Sequence, residues 1–325
     1  MNEVKAEERA AEIEPPVSGQ KRWRSLKKNL VSYSFLLPVI IGILVFTLYP
    51  IVMSFLYSIS NFNGVKITKL GLFNYKDIFD FSQFGWGNKV FHSLKITFIY
   101  AIASIVLSLS LSYVLALFLN REIPGIRVIR VLFYMPCLIP GIAAGLIWRD
   151  AFAANLADPS LNGIFNTWII QLGGQPLGFF SEAASSLPTL IATGLWGIGG
   201  GMIMWLASFE NISPELYEAS KIDGAGYFRR LFSITVPMST PILFYNAVTS
   251  LIGGLQVFGT YATYKTGVED SLNFMAVRIY YTAFDGSNEY GLACAMAWIL
   301  FVIIAALTLV MFKTGGWIQY GEGDE

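Results

Sequence analysis

Long apolar stretches alternate with polar segments along most of this chain. Six of the stretches could cross the roughly 30 Å hydrocarbon core of a bilayer as helices rising about 1.5 Å per residue. The pattern predicts membrane spans at about residues 31–59, 94–119, 128–148, 187–208, 238–262 and 291–312. The first stretch is too long for a signal-peptide core and has no clear small-residue cleavage site. We therefore expect an all-α integral membrane protein with six transmembrane helices.

Two links, between spans one and two and between spans three and four, are long and partly aromatic. Residues 61–93 predict short interfacial helices around Phe73-Asn74-Tyr75 and Phe84-Gly85-Trp86. Residues 149–187 contain an amphipathic piece at 161–168. Both links are expected on the outer side of the membrane.

The distribution of Lys and Arg predicts the orientation. Residues 1–30 contain a basic cluster at 21–28 and predict a mobile cytoplasmic tail before a membrane domain of residues 31–313. Most Lys and Arg fall on the side of this tail if the N-terminus is inside, and the loops on that side are short. By the positive-inside rule, both termini are cytoplasmic, including a C-terminal tail at 314–325.

Residues 213–237, which we call the clip, are polar although they lie between two apolar runs. Ser213 is a favourable helix N-cap and Pro214 suits the first helical position, so a short helix is predicted to about Ile222. Asp223 precedes Gly224, which tolerates the left-handed conformation that ends helices. The clip falls on the cytoplasmic side in the orientation above.

A second short helix is expected in the rest of the clip. Tyr227, Phe228, Leu231 and Phe232 share one face of it, at positions i, i+1, i+4 and i+5. Pro237 is expected to close this helix before the next apolar run. The clip would thus be a helix–turn–helix outside the bilayer, with a polar face free to contact another molecule.

Composition excludes several classes of protein. Of 325 residues, 54% are hydrophobic and 14% charged, with mean hydropathy +0.56, which is not typical of a soluble globular chain. Lys plus Arg and Asp plus Glu each number 22, so net charge gives no indication of nucleic-acid binding. No Gly-Lys dipeptide occurs, which excludes a Walker A loop in this chain. Neither a disulfide framework nor a metal site is expected from Cys137, Cys294 and the single His92.

The predicted spans offer neutral rather than ionisable side chains. The interiors of the first span and of spans three to six contain no Asp, Glu, Lys, Arg or His, which argues against proton coupling or a strongly charged cargo. Amides, hydroxyls and aromatic faces would suit a polyhydroxy ligand. Candidate pathway residues are Trp196, Gly200, Asn246, Gln256 and Tyr261. Helix packing is the alternative role for each of them.

Three short patterns in the clip resemble the EAA loop of ABC-importer permeases. They are Glu218-Ala219-Ser220, Asp223-Gly224-Ala225 and Thr235-Val236-Pro237. Ser220 stands where the family usually has Ala. Other stretches resemble the carbohydrate-importer permeases of the maltose/glycerol-phosphate group: Leu48-Tyr49-Pro50, residues 70–75, residues 140–148 and residues 255–258. The similarity covers about residues 30–315.

The resemblance implies an assembly in the prokaryotic cytoplasmic (inner) membrane. Such a permease pairs with a second related permease, two ATPase subunits and an extracytoplasmic solute-binding protein. ATP and Mg would be bound by the ATPases, so this chain would be neither an enzyme nor the holder of a cofactor. The cargo would be a mono- or oligosaccharide, and membrane lipid would surround the spans.

The resemblance also assigns the clip to ATPase coupling. The family positions carried over are Glu218 and Ala219, Asp223 and Gly224, and Pro237. Tyr227 and Phe228 would be apolar anchors in a groove of the ATPase, with Ser220 and Ala225 as small neighbouring contacts.

Other functions are less compatible with the sequence. An importer permease for another small polar solute stays open. A secondary carrier would need an ion site and usually an inverted repeat, and we find neither. A membrane enzyme would need paired acids, a nucleophile with a base, or metal ligands. Asp150, Asp158 and Glu182 are dispersed and lack a His nearby.

Overall fold

A computed structural model describes residues 33–83, 85–121, 123–155, 158–285 and 288–317. The predicted N-terminal tail at 1–30 and most of the C-terminal tail at 314–325 lie outside these ranges. The chain divides into two units after Leu56.

The first unit consists of most of helix α1, Tyr33–Ser58. Its apolar side chains are exposed around the whole helix, as expected of a span that faces lipid or other subunits. A π-helical turn at Leu44–Leu48 is closed by a hydrogen bond from the Tyr49 N–H to the Leu44 carbonyl. Pro50 follows directly, and widening of the ladder beside a residue that lacks an N–H is a common cause of such turns.

The second unit begins with a small hairpin that was not predicted. Strands β1 (Ser60–Phe62) and β2 (Ile67–Leu70) pair antiparallel. The turn contains Asn63, whose side-chain oxygen accepts hydrogen bonds from two backbone N–H groups, and Gly64 at φ +90°. An Asn-Gly pair is a strong hairpin signal, so the sequence did carry this information.

Helix α2, Phe73–Ile78, confirms the first predicted interfacial helix. The second, around Phe84-Gly85-Trp86, is wrong for its described part, because Gly85 and Trp86 are not helical. Helix α3 starts just after them and runs over Gly87–Leu119, so the second predicted span begins seven residues earlier than expected.

Three helical pairs follow, each bent at a short break. The first is α4 (Ile126–Leu138) with α5 (Gly141–Ala151), bent by 94°. Ile139 between them is extended, as residues before a proline tend to be. Helix α6 (Ile164–Gln171) then covers part of the predicted amphipathic piece.

The second bent pair precedes the clip, and the third begins within it. Helices α7 (Ala183–Gly197) and α8 (Gly199–Glu210) are bent by 46°. The clip contains α9, Pro214–Ile222. Helices α10 (Tyr227–Met238) and α11 (Thr240–Leu255) are bent by 60°.

The fifth predicted span, 238–262, is too long at its C-terminal end. Helix α11 ends at Leu255, and a single separate turn, α12 (Tyr261–Tyr264), follows a break. Glycines at 253, 254 and 259 weaken helix propensity there. The chain continues through α13 (Met275–Tyr280), extended by a π turn at Tyr281–Asp285, to the last helix, α14 (Tyr290–Lys313).

By length and composition, α1, α3 and α14 are each able to cross a membrane, and the number rises to six if each bent pair is one span. The described fold is helical apart from the hairpin. Helix α3 contacts both α8 and α11 along its length and organises the second unit. At its centre Trp205 is fully buried and donates from Nε1 to Ser112 Oγ at 3.0 Å.

Candidate functional site

The first turn of the clip forms as the sequence predicts. Ser213 Oγ accepts a hydrogen bond from the Glu215 N–H at 3.3 Å, with Pro214 at the first helical position. Gly224 adopts φ +72°, and the Ala225 N–H then bonds the Ser220 carbonyl at 2.9 Å. A Cβ on Gly224 would meet no atom within 4 Å, so the left-handed backbone alone requires glycine here.

The second clip helix extends further than predicted. Pro237 was expected to close it, but α10 continues through Pro237 and breaks at Ser239. A π turn at Leu231–Thr235 precedes the proline, with the Val236 N–H bonded to the Leu231 carbonyl. The proline therefore does not terminate the helix, because the π turn before it widens the hydrogen-bond ladder where the proline has no N–H to donate.

The clip exposes both charged and apolar side chains. Glu218, Ala219 and Asp223 are exposed, whereas Ser220 and Ala225 are half-buried. Five large apolar or aromatic residues are also exposed: Leu216 by 42%, Ile222 by 88%, Tyr227 by 49%, Phe228 by 72% and Phe232 by 67%. Sequence reasoning did not identify Ile222, although its position before Asp223-Gly224 places it at the tip. Apolar side chains gathered on a polar segment are typical of a contact surface.

The clip is attached to the spans by packing, and a hydrogen bond joins its two helices. Tyr217 on α9 bonds Thr235 on α10 through their hydroxyl oxygens, 2.9 Å apart. Tyr217 also packs with Ile234 and Met238 against the buried cluster around Trp205. Helix α10 leads through the bend at Ser239 into α11.

A cavity of about 520 Å³, the large cavity, lies where several helix breaks meet. It is bordered by the α4–α5 break, the α7–α8 break and residues 257–264. The indole rings of Trp148 and Trp196 meet edge to face there, with centroids 5.2 Å apart. In the part of the chain that the structure describes, Trp148 Nε1, Thr260 Oγ1 and Thr263 Oγ1 are buried without a hydrogen-bond partner.

A second cavity of about 300 Å³, the small cavity, shares Gly194 and Gly197 with the large one. Helices α3, α8 and α11 enclose it through Ser108, Gly200 and Asn246 among others. Asn246 Nδ2 is buried and, among the described residues, has no partner. Neither cavity is lined by a described Asp, Glu, Lys, Arg or His.

The structure brings some of the predicted pathway residues together. Asn246 and Gly200 line the small cavity and Trp196 lines the large one. Gln256 is the exposed C-cap of α11, and Tyr261 is buried with its hydroxyl bonded to Asp285, so neither lines these cavities. Their role in a pathway stays a prediction.

The sequence analysis missed most of the lining residues. Trp148 lay within the stretch of residues 140–148 that carries the family resemblance, but it was not singled out. Thr260 was assigned to the predicted fifth span, whose helix in fact ends at Leu255, and Thr263 lay just beyond that prediction. Ser108 could not be recognised as a lining residue from the sequence, because a serine in an apolar helix is usually a packing residue.

A buried arginine holds the segment between α11 and α14. Arg278 on α13 is 4% exposed and donates from Nε to Ser93 Oγ at 2.6 Å and from a terminal nitrogen to Asp270 Oδ2 at 2.9 Å. Burial favours the neutral acid, but the hydrogen bond and the positive charge of Arg278, together with hydrogen bonds from Asn273 and Thr266, outweigh it and keep the pKa of Asp270 below its usual range. The sequence analysis did not single out Arg278.

Comparison with known proteins gives relatives that match nearly the whole chain. The chain is 34% identical over 313 residues to the probable ABC transporter permease protein YesP of Bacillus subtilis, covering 94% of this chain and 97% of that protein. It is 28% identical to the arabinooligosaccharides transport system permease protein AraP of Bacillus subtilis, covering 95% and 96%. It is 27% identical to the lactose transport system permease protein LacF of Rhizobium radiobacter, covering 89% and 95%. No family model matches.

Solved structures agree on the fold. A bacterial ABC transporter involved in the import of the acidic polysaccharide alginate has a chain that aligns with a TM-score of 0.79 at 21% identity, covering 92% of this chain and 100% of that one. A bacterial alginate ABC transporter in complex with its alginate pentasaccharide-bound periplasmic protein gives 0.77 at 21% identity, covering 90% and 96%. The resemblance inferred from the clip is confirmed: the chain belongs to the permease family of ABC transporters.

Proposed function

We propose that this chain is the permease subunit of an ATP-driven, binding-protein-dependent carbohydrate importer in a prokaryotic inner membrane. Six spans, with each bent pair crossing once, would place both termini and the clip in the cytoplasm. A separate pair of ATPase subunits would bind ATP and Mg and seat the clip. A second permease and an extracytoplasmic binding protein would complete the assembly.

The observation that carries the proposal is the physical route from the clip to the small cavity. The exposed surface around Ile222 and Phe228 belongs to a segment whose second helix, α10, leads through the bend at Ser239 into α11. Asn246 on α11 lines the small cavity. Closure of an ATPase pair on the clip would thus move one wall of that cavity, which is what alternating access requires.

The chemistry of the cavities favours a carbohydrate. Sugars present many neutral hydroxyl groups and apolar C–H faces, and these cavities offer neutral polar atoms, indole rings and exposed glycine backbone. Lining residues without charge are better suited to a neutral saccharide than to a charged one. AraP and LacF, named for arabinooligosaccharides and lactose, support the same class of cargo. Another small polar solute is the alternative.

The test is uptake by the chain expressed with its neighbouring transporter subunits, using a panel of labelled neutral sugars and one uronic acid oligomer. Asn246→Leu keeps a similar volume but removes the amide. We expect uptake to fall about tenfold or more, since an amide hydrogen bond to a cargo hydroxyl is lost in a buried site.

Thr249→Val is the matched control, because Thr249 lies on the same helix, is exposed, and bonds only backbone carbonyls of its own helix. Near-normal uptake in the control and loss in Asn246→Leu supports the pathway. Equal uptake in both variants contradicts it. Uptake of the uronic acid oligomer in preference to every neutral sugar would contradict the proposed cargo.

A further inference from the structure

A third cavity, of about 190 Å³, lies between the C-terminal end of α3 and the clip, and we call it the cationic pocket. The end of α3 contributes the first part of its wall, and both clip helices contribute the rest. Its lining residues are Leu117, Asn120, Arg121, Tyr217, Tyr227, Arg230, Leu231 and Thr235. It is separate from the two cavities assigned to the cargo pathway, which share no residue with it.

The charge of the cationic pocket is not balanced by described residues. Two lining residues are arginines and none is acidic. The ion pairs found in the described ranges involve neither Arg121 nor Arg230. Arg230 Nε is buried and has no hydrogen-bond partner among those residues. A buried cationic donor without a partner is costly, so a site of this kind gains free energy when an anion enters.

Neutral donors surround the two guanidinium groups. The Tyr217 and Thr235 hydroxyls bond each other at 2.9 Å, and since only one of them donates in that bond, the other keeps its hydrogen for a ligand. The Asn120 amide and the Tyr227 hydroxyl lie in the same wall. Together these groups match an anion with several acceptor oxygens better than they match a single carboxylate.

The negative end of α3 is already neutralised. Arg130, on α4, donates from Nε and a terminal nitrogen to the Leu119 carbonyl at 3.1 and 2.8 Å. Helix C-termini carry partial negative charge that would otherwise repel an anion at this corner. With that carbonyl bonded, the field within the cationic pocket is set mainly by Arg121 and Arg230.

We propose that the cationic pocket binds a phosphate group, with Arg121 and Arg230 as its principal ligands. Guanidinium groups match phosphate oxygens in paired hydrogen bonds. The group would come either from the headgroup of an anionic lipid or from free phosphate in the cytosol. A phosphate held there joins α3 to both clip helices, and so stiffens the clip against the spans. The binding itself does not depend on the identity of the cargo.

The first arm of the test measures lipid binding to the full chain with its companion subunits in nanodiscs. Phosphatidylglycerol is titrated into phosphatidylcholine discs, and retained lipid is counted by native mass spectrometry. For Arg121→Gln and Arg230→Gln we expect affinity to fall about fivefold each, the effect of removing one basic residue beside an anionic headgroup.

Arg229→Gln is the matched control. Arg229 adjoins Arg230, is exposed and does not line the cationic pocket, yet its loss changes the net charge equally. Its affinity should stay within about twofold of the parent, because Arg229, although exposed like Arg121, does not line the cationic pocket. Arg230→Lys, which keeps the charge but not the planar fork, should lie between the parent and Arg230→Gln.

The second arm titrates inorganic phosphate into discs of pure phosphatidylcholine and follows thermal unfolding of the same variants. Free phosphate is identified as the source if it stabilises the parent and Arg229→Gln but no longer stabilises Arg121→Gln or Arg230→Gln. The corresponding pattern with phosphatidylglycerol alone identifies the lipid headgroup. The proposal is overturned if neither probe binds, or if all three glutamine variants lose affinity equally, since that is diffuse attraction to a basic surface.

Discussion

Two polar segments that connect apolar helices in this chain are built in opposite ways. The clip leaves much of its apolar surface exposed: Ile222 is 88% exposed and Phe228 is 72% exposed. The segment between α11 and α14, by contrast, encloses its own core, with Phe274 and Val277 fully buried and Arg278 4% exposed. The first leaves its apolar side chains exposed, and the second is a fixed part of the fold.

The hydrogen bonds of the clip and of the segment between α11 and α14 differ in the same direction as their burial. In the second segment, Arg278 and its partners Asp270 and Ser93 connect α13 to the start of α3. In the clip, the hydrogen bond between Tyr217 and Thr235 joins the two clip helices, and the base of the clip packs against the cluster around Trp205. A segment held at one end and exposed at the other can transmit a displacement, whereas a segment with its own buried core resists one. Each prediction below removes or tests one side of this contrast.

The largest effect is expected from the exposed surface of the clip. The double substitution Ile222→Ser and Phe228→Ser should weaken binding of the ATPase subunit by about 2–4 kcal/mol if these side chains anchor the contact. Thermal stability of the isolated permease should hardly change, because both side chains are exposed. Affinity is measured by titrating purified ATPase onto the permease in nanodiscs.

Phe301→Ser is its control, since Phe301 is 58% exposed on α14, away from the clip. A loss of ATPase binding with Phe301→Ser equal to that of the double variant would contradict the assignment.

The next effect concerns the buried arginine. Arg278→Met should lower the free energy of unfolding by about 1–3 kcal/mol, because Ser93 Oγ and Asp270 lose a buried donor. The partial exposure of Asp270 keeps the effect below that of a fully buried pair. Thermal unfolding in detergent is the measurement. Lys265→Met, which breaks an exposed ion pair with Asp285, should change stability by less than about 1 kcal/mol. Similar losses of stability in both variants would mean that the buried Arg278 contributes no more than an exposed ion pair.

A smaller effect is expected at the clip turn. Gly224→Ala should cost about 1 kcal/mol, since an L-residue is strained at φ +72° although the added methyl group meets no atom. Gly226→Ala is the matched control, because Gly226 has φ −67° and is equally open. Only Gly224→Ala should reduce uptake and lower the unfolding temperature. A neutral result in both variants would mean that the turn does not depend on its backbone conformation.

The smallest effect is a pH dependence of the second segment. The pKa of Asp270 is lower in the folded protein than its ordinary value, so its contribution is present at neutral pH. It begins to fall below about pH 5, as the unfolded carboxyl near pKa 3.9 takes up protons, and is lost once the pH passes the lower folded value. Asp270→Asn should remove this part of the acid-induced drop in unfolding temperature between pH 6 and pH 3. An unchanged pH profile in that variant would contradict the role of the Arg278 hydrogen bond.

The clip could be predicted almost residue by residue because its structure depends on local chemistry. An N-cap serine, a first-turn proline and a glycine at positive φ are recognised from neighbouring residues alone. Only the end at Pro237 was wrong, because the π turn before it depends on how α10 meets the spans. The Asn63-Gly64 hairpin was equally local and could have been predicted from the same kind of signal.

The sequence by itself determined where apolar helices could form, the helix–turn–helix of the clip and the family to which the chain belongs. Only the tertiary structure decided that the α4–α5 break, the α7–α8 break and residues 257–264 meet at one cavity. It also decided that Arg278 binds Ser93, a partner 185 residues away. Caps and turns are specified by residues next to one another, but a cavity or a buried hydrogen bond depends on which distant helices pack together, and apolar periodicity carries no information about that choice.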